Sequence, residues 1–297
     1  MGGLVHLQPA SPRLPAWLRT HRTHFESVHH LKAELRGLRL HTVCESARCP
    51  NLHECFHRGA ATFMILGNLC TRGCGFCSVP KSRRPGPLEA DEPVNVARMA
   101  RAMQLRHVVI TSVTRDDLKD GGSDHFAQTV RAVRAALPEA RVEVLTPDFR
   151  GDLDAVARVL DAGPHVFNHN METVPRLYKT VRPQANYRQS LDVLRFAKRY
   201  RPESLTKSGV MAGLGETPQE VKMLLCDLRE CEVDVATLGQ YLQPARRNLR
   251  VIEFVNPAQF DAYRDFGLSI GFKMVFSGPL VRSSYMADLV SEQASRK

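Results

Sequence analysis

The chain has 297 residues, 43% of them hydrophobic, and its 41 Lys and Arg outnumber 31 Asp and Glu to give a net charge of +10. That apolar content can bury a sizeable core, and the length suits one large α/β domain or a barrel with extensions. No run approaches the roughly 18 apolar residues of a membrane span, and no signal segment opens the chain, which sets membrane and secreted classes aside. The stretch "MGGLVHLQPASPRLPAWLRTHRTH" is basic and free of acidic residues, but its prolines and lack of an amphipathic run argue against a mitochondrial presequence. The expectation is a soluble cytoplasmic protein. The basic surplus suits an anionic partner: nucleic acid, an acidic protein or a phosphorylated small molecule. Because the basic residues are scattered rather than blocked, a solvated surface explains them equally well before any motif is read.

In chain order, residues 1–60 read as an extension lying on the main domain. One helix is expected there: Thr23 and Glu26 form a capping-box pattern, Val28, Leu31 and Leu35 share a face, and Gly37 stops it. From residue 61 a strand–helix alternation sets in. The strand candidates are 61–67, 107–113, 141–147, 165–172, 205–215 and 234–241. Between them lie amphipathic helices with caps at Ser123, Asp152 and Thr217, the last followed by Pro218 and Glu220. Asn256–Pro257 opens a late helix that Gly267 can end. Cys226 and Cys231 are five apart in the helix after Thr217, do not share a face, and read as buried small hydrophobes.

Repeated β-α units imply a parallel sheet. Six are too few for an eight-fold barrel, which leaves an open doubly wound sheet or a partial barrel. Both place functional groups at the C-terminal ends of strands, and here those ends are polar: Thr111, Ser112, Asn168, Asn170, Glu172 and Gln240. Such groups in a buried sheet need partners, either a ligand or a hydrogen-bond network.

The chain has eight cysteines, and clustered cysteines without a secretion signal point to metal rather than disulfides. "CTRGCGFCSVP" follows the first barrel strand and spaces Cys70, Cys74 and Cys77 as C-x3-C-x2-C. Three thiolates on one loop can converge on a face of a 4Fe–4S cube and leave one iron open, as a catalytic metal requires. Gly73 and Gly75 allow a tight backbone, and Phe76 can shield the cluster. The alternative is a zinc knot completed by a histidine or Cys55. Upstream, "CESARCPNLHEC" spaces Cys44, Cys49 and Cys55 as C-x4-C-x5-C. It reads as a second three-thiolate metal site, with zinc a stronger alternative because His41, His53 and His57 are near.

The loop at Cys70 resembles that of the radical S-adenosylmethionine (SAM) superfamily. "GVMAGLGE", Gly209 to Glu216, is similar to that superfamily's adenine-side pattern, with Met211 in the Ile place. The resemblance implies a partial (β/α)6 barrel, α/β in class, over 61–245, with extensions at 1–60 and 246–297. It implies that SAM takes the open iron and is cleaved to a 5′-deoxyadenosyl radical that abstracts hydrogen from an unactivated C–H bond. Both cysteine stretches, together with "VTRDDLKDGGSDHFAQTV", "HNMETVPRLYKTVRP", "GQYLQP" and "GPLVRSSYMAD", resemble the lipoyl synthase family over about residues 16–290.

That family resemblance implies a sulfurtransferase that inserts sulfur at C6 and C8 of an octanoyl chain on a carrier lysine. It implies two 4Fe–4S clusters: one on Cys70, Cys74 and Cys77 with SAM, and an auxiliary one on Cys44, Cys49, Cys55 and Ser284 that serves as sulfur source. Ser283, also in R-S-S-Y before Tyr285, is the other serine that could ligate. Serine oxygen is harder than thiolate and suits a ligand that must leave. SAM contacts carried over are Thr111, Ser112, Asn170, Glu172, Lys207 and Gln240: Lys207 suits a carboxylate and Glu172 a ribose diol. Arg182 in "VRP" either faces the site or is a solvated loop arginine. Implied partners are an octanoylated lipoyl carrier (a glycine-cleavage H protein or an E2 lipoyl domain), an electron donor such as ferredoxin or flavodoxin, and an iron–sulfur carrier for rebuilding. The carriers tend to be acidic, which suits the basic charge; neither nucleic acid nor membrane is expected. A tRNA methylthiotransferase is the competing enzyme, but no appended RNA-binding module is visible. A two-cluster electron carrier would be short and lack the β-α array.

Overall fold

The computed structural model describes residues 14–18, 32–46, 49, 51 and 61–284. Its eight-stranded sheet runs in sequential order, β1 to β8. Strand β1 (His41–Thr42) pairs antiparallel with β2 (Thr62–Ile65). From there the pairing is parallel through β3 (His107–Ser112), β4 (Arg141–Leu145), β5 (Val166–Asn168), β6 (Leu205–Ala212), β7 (Val235–Gln240) and β8 (Met274–Gly278). A doubly wound sheet would reverse its strand order at a switch point, and this one never does. It is therefore an open barrel, with β1 and β8 at its two edges.

All six expected strands are present, and β1 and β8 are additional. The sheet thus continues past residue 245 to β8. All six are shorter than their expected runs; β5, for example, stops at Asn168, and β6 stops at Ala212 before Gly213 turns to φ 101°.

Helices alternate with the strands: α1 (Val43–Ser46), α2 (Glu92–Ala102), α3 (Ser123–Ala136), α4 (Leu153–Asp161), α5 (Tyr178–Val181), α6 (Tyr187–Tyr200), α7 (Pro218–Glu230) and α8 (Pro257–Ser269). Their apolar faces cover the outward side of the sheet. Val108, Ile110, Val142 and Val144 pack with Phe126, Val130, Val156 and Leu160, all fully buried. Each such side chain contributes roughly 1.5–3 kcal/mol by leaving water. A second core joins Val210, Ala236 and Leu238 to Leu224, Leu228 and Phe260. Among the described residues no helix is long and apolar enough to cross a membrane.

Most caps follow local chemistry. Asp152 accepts from the N–H groups of Asp154 and Ala155, Thr217 and Glu220 form a reciprocal capping box, and Asn256 accepts from Ala258 N–H. Four expectations need correction. Ser123 is the first helical residue, not the cap; Gly122 holds that place at φ 86°, and Asp120 accepts from Gly122 and Asp124 N–H. Gly267 lies inside α8, which runs on to Ser269, and its missing side chain makes room for Val275. Cys226 is exposed, whereas Cys231 is buried as expected. Residues 32–37 are helical, but the left-handed turn beyond them falls on Arg39 (φ 55°), not Gly37. Thr23, Glu26, Val28 and Leu31 lie outside the described residues.

Candidate functional site

Alternate residues of a strand face the same way, so His107, Val109 and Thr111 of β3 point into the barrel. They line a cavity of about 530 Å³ that opens at the C-terminal strand ends. Its floor is a buried polar plug. Lys207 Nζ donates to Glu143 Oε1 and Oε2 at 3.0 and 3.2 Å, Asn168 Nδ2 donates to Glu143 Oε1 at 3.0 Å, and His107 Nε2 lies 3.4 Å from Glu143 Oε2. Burial opposes ionisation of Glu143, but the Lys207 charge and the His107 and Asn168 hydrogen bonds outweigh it and hold its pKa at about 2.

The cysteine loop crosses the top of the barrel and is clamped from four sides. Cys70 N–H donates to Pro80 O and Ser82 N–H to Cys70 O, both at 2.9 Å. Gly75 N–H donates to Val181 O at 2.9 Å, and Gly73 N–H to Gln184 Oε1 at 2.8 Å. Asn248 Nδ2 donates to Cys77 O at 2.9 Å and Gly75 O at 3.2 Å. Arg72, only 6% exposed, reaches Asp116 Oδ2 through Nε at 2.7 Å and Asp148 Oδ2 through Nη1 at 2.9 Å. Gly75 is needed for close approach, because a Cβ there would sit 2.8 Å from Leu249 Cγ; Gly73 meets no such obstacle.

Cys70, Cys74 and Cys77 all line the cavity. Burial pushes the Cys77 thiol up to about 11, and the neighbouring Cys74 and Cys70 sulfurs add to this; burial also raises Cys74. Three crowded thiols of this kind ionise most readily when a metal group takes the place of their protons. Among the described residues no three His, Cys, Asp or Glu side chains are placed to hold a single metal ion.

The same cavity receives segments from both ends of the described residues. Cys44 and Cys49 line it, with Cys49 N–H donating to Cys44 O at 3.1 Å. Burial, with Cys49 nearby, pushes Cys44 up to about 11. The Ser78 hydroxyl, beside Cys77, donates to Ser46 O at the end of α1. From the other end come Arg282, Ser283 and Ser284, also in the lining. They follow β8 through a turn that rests on β7, where a Cβ on Gly239 would collide with Val281 O. Asn51 Nδ2 donates to Leu280 O at 2.8 Å and ties the two ends together. Cys55, Tyr285, His53 and His57 lie outside the described residues.

The six strand-end candidates separate into groups. Ser112 Oγ and Asn170 Oδ1 are buried in the lining without a hydrogen-bond partner among the described residues, as is Thr146 Oγ1, which sequence reasoning missed. Glu172, at φ 67°, accepts from Asn170 Nδ2 at 3.0 Å, and burial raises its carboxyl despite the Arg182 charge. Thr111 Oγ1 donates to Leu145 O at 2.8 Å. Gln240 lines the cavity but spends its amide on the next loop, accepting from Val255 N–H at 2.8 Å and donating to Glu253 O at 2.9 Å. Lys207 is absent from the lining, since Glu143 takes its ammonium. Arg182 is a site residue: buried at 9% exposure, it donates to Asn170 O at 2.8 Å and Tyr178 Oη at 3.1 Å.

Unpaired polar atoms beside open space fit a polar ligand. A Cβ on Gly209 would lie 2.7 Å from Asn170 Oδ1, so glycine keeps that space free. In "GLGE", the Glu216 carboxylate accepts from Gly213 and Leu214 N–H and folds the turn on itself. Sequence reasoning also gave no role to Asp116 and Arg282, although both lie in quoted motifs, and missed Asp148 and Asn248, whose signal is tertiary.

Comparison with known proteins agrees with this geometry. Residues 64–228 match the radical SAM superfamily, and residues 2–49 match the N-terminal domain of lipoyl synthase of that family. The chain is 54% identical to the lipoyl synthase of Rubrobacter xylanophilus over 282 residues, covering 95% of this chain and 88% of that one. It is 53% identical to the lipoyl synthase of Caldanaerobacter subterraneus subsp. tengcongensis, covering 93% and 96%. Among solved structures, methylornithine synthase superposes with a TM-score of 0.53 at 15% identity, covering 78% of this chain and 79% of that one. HydG, a maturase of the FeFe-hydrogenase, gives 0.53 at 14% identity, covering 70% and 54%. These two likenesses show the fold. Superfamily membership implies a 4Fe–4S cluster and SAM, which the Cys70 loop and the unpaired polar rim of the cavity suit. The chain is an enzyme and belongs to the lipoyl synthase family of the radical SAM superfamily.

Proposed function

We propose that this enzyme inserts two sulfur atoms, at C6 and C8 of an octanoyl chain held in amide linkage on a lysine of a lipoyl-carrier protein. The observation that carries the reading is a single cavity lined by Cys70, Cys74 and Cys77 together with Cys44, Cys49 and Ser284. A hydrogen-abstracting group and a sulfur donor must both reach the same alkyl chain, and one shared cavity allows it. When bound, the cluster at Cys70, Cys74 and Cys77 and SAM supply hydrogen abstraction from an unactivated C–H bond. Ser112, Asn170 and Thr146 offer unpaired polar atoms to SAM, and Glu172 suits its ribose diol. Thr111, Lys207 and Gln240 act from behind: they tie β3 to β4, anchor the floor and fasten the loop after β7.

Cys44, Cys49, Cys55 and Ser284 would hold the auxiliary cluster that gives up its sulfide. Val109, Val113 and Met211 give the octanoyl chain apolar walls, which also keep water from the reacting carbons. The carrier is an H protein or an E2 lipoyl domain, and a ferredoxin or flavodoxin supplies electrons.

The test combines iron analysis with an assay. The holoenzyme should carry about eight irons and, with reductant, SAM and octanoylated carrier, yield 5′-deoxyadenosine and a lipoylated product. Deoxyadenosine without a change in carrier mass refutes the substrate. Ser284→Ala should keep SAM cleavage and lose sulfur insertion, with Ser283→Ala as the comparison; undiminished lipoyl formation in Ser284→Ala overturns its ligand role.

A further inference from the structure

Besides 114–116, where Thr114 O accepts from Thr71 N–H and Asp116 is ion-paired with Arg72, three segments hydrogen-bond directly to the backbone of the Cys70–Cys77 loop: 80–88 through Pro80 and Ser82, 178–185 through Val181 and Gln184, and 241–252 through Asn248 and Leu249. None of the three contains an aspartate or glutamate, and neither does the loop. Two of them present Lys81, Arg83, Arg84, Arg246, Arg247 and Arg250, all exposed. Elsewhere on the surface Arg176, Arg201 and Arg264 each lie against a carboxylate. None of the six lines the cavity, so their charge faces outward from the loop, away from the space that takes the alkyl chain. Cys70, Cys74 and Cys77 beneath them are only partly buried.

We propose that this basic face is the docking surface for an acidic one-electron carrier protein. Electron transfer weakens steeply with distance, so a donor must settle where the cluster-bearing loop comes nearest the surface. The loop does so beneath these cations. One electron leaves the donor's reduced centre and enters the cluster held by Cys70, Cys74 and Cys77. The donor is oxidised by one electron, the cluster is reduced by one, and no bond or proton changes hands. Such encounters are small and transient, and complementary charge sets their on-rate more than their lifetime. An acidic lipoyl carrier shares the sign of charge, but its acyl chain must enter the cavity, which these cations do not line. The inference rests on the cluster assignment above.

The experiment uses the holoenzyme, a triple variant Arg246→Glu, Arg247→Glu, Arg250→Glu, and a flavodoxin of net negative charge as probe. Calorimetry at low salt reads binding of oxidised flavodoxin, and EPR reads cluster reduction by photoreduced flavodoxin or, separately, by photoreduced deazaflavin. The expected result is flavodoxin binding and reduction weakened about tenfold or more in the variant, with deazaflavin reduction and the KM for octanoylated carrier unchanged. Parent-enzyme affinity for flavodoxin should also fall as salt is raised, which tests the surface without any substitution. Unaltered flavodoxin binding in the variant overturns the proposal, and so does a raised carrier KM with unaltered flavodoxin kinetics. Failure of the cluster assignment would look different: the parent itself would give no reduced-cluster signal with deazaflavin.

Discussion

Asn248 donates through Nδ2 to the carbonyl oxygen of Cys77 at 2.9 Å, closing a loop of 171 residues. The same amide reaches Gly75 O, so one side chain, 7% exposed, fixes the last turn of the cysteine loop. Asn248→Leu leaves the Cys77 carbonyl unpaired, while Gly75 O keeps Leu249 N–H, and should cost about 1–3 kcal/mol. Reconstituted protein should then hold less iron at the Cys70 site and give a broadened EPR signal with SAM. Full iron content with an unaltered spectrum would remove Asn248 from this role.

Arg72 is the loop's electrostatic anchor. Burial opposes ionisation of Asp148, but the Arg72 hydrogen bonds and charge hold its pKa down to about 2. A carboxylate depressed below its ordinary value of about 4 stabilises the fold above that pH, and the gain is lost as pH falls toward 2. Arg72→Met should cost about 3–5 kcal/mol at neutral pH by stranding a buried charge. It should also flatten the acid limb of the stability curve, since Asp148 then titrates nearer its ordinary range. Denaturant unfolding between pH 3 and 7 measures both; parallel curves for parent and variant would refute the pairing.

The floor plug offers a second electrostatic test. Lys207→Met leaves Glu143 charged and buried, and its cost should again be about 3–5 kcal/mol. Lys207→Met with Glu143→Leu removes both charges and should be less damaging than the single change. A double variant as unstable as the sum of two singles would mean the pair does not act as a unit.

The barrel and its site were legible to different depths. Periods of apolar residues and caps at Asp152, Thr217 and Asn256 marked every strand that carries site residues, because those signals are local. Strand β8 was missed because "MVFSG" is too short and too polar at its end to show a period. The cysteines were readable from spacing. Lys207 was misleading: strand position marks it as inward-facing, but only the fold shows Glu143 opposite it. Asn248 and Asp148 had no local signal, since their partners are 171 and 76 residues away.

Gly239 tests whether the C-terminal segment must lie on β7. Gly239→Ala sets a methyl against Val281 O and should push Ser283 and Ser284 out of the cavity. The barrel and the Cys70 loop do not depend on that contact. Deoxyadenosine formation should therefore persist, while lipoyl product falls at least about tenfold, a loss of about 1.4 kcal/mol in transition-state terms. Equal loss of both activities would show a general collapse instead.

The bond from Asn51 to Leu280 spans 229 residues and lies where the two edges of the sheet fail to meet. During synthesis the ribosome delivers Cys44 and Cys49 long before Ser284. A nascent chain can thus assemble the Cys70 loop and most of its barrel long before the second site has its full set of walls. Contacts of such separation form late in folding, because loop closure must precede them. The two halves of one cavity therefore mature at different times, and its lining is complete only once the segment after β8 has docked.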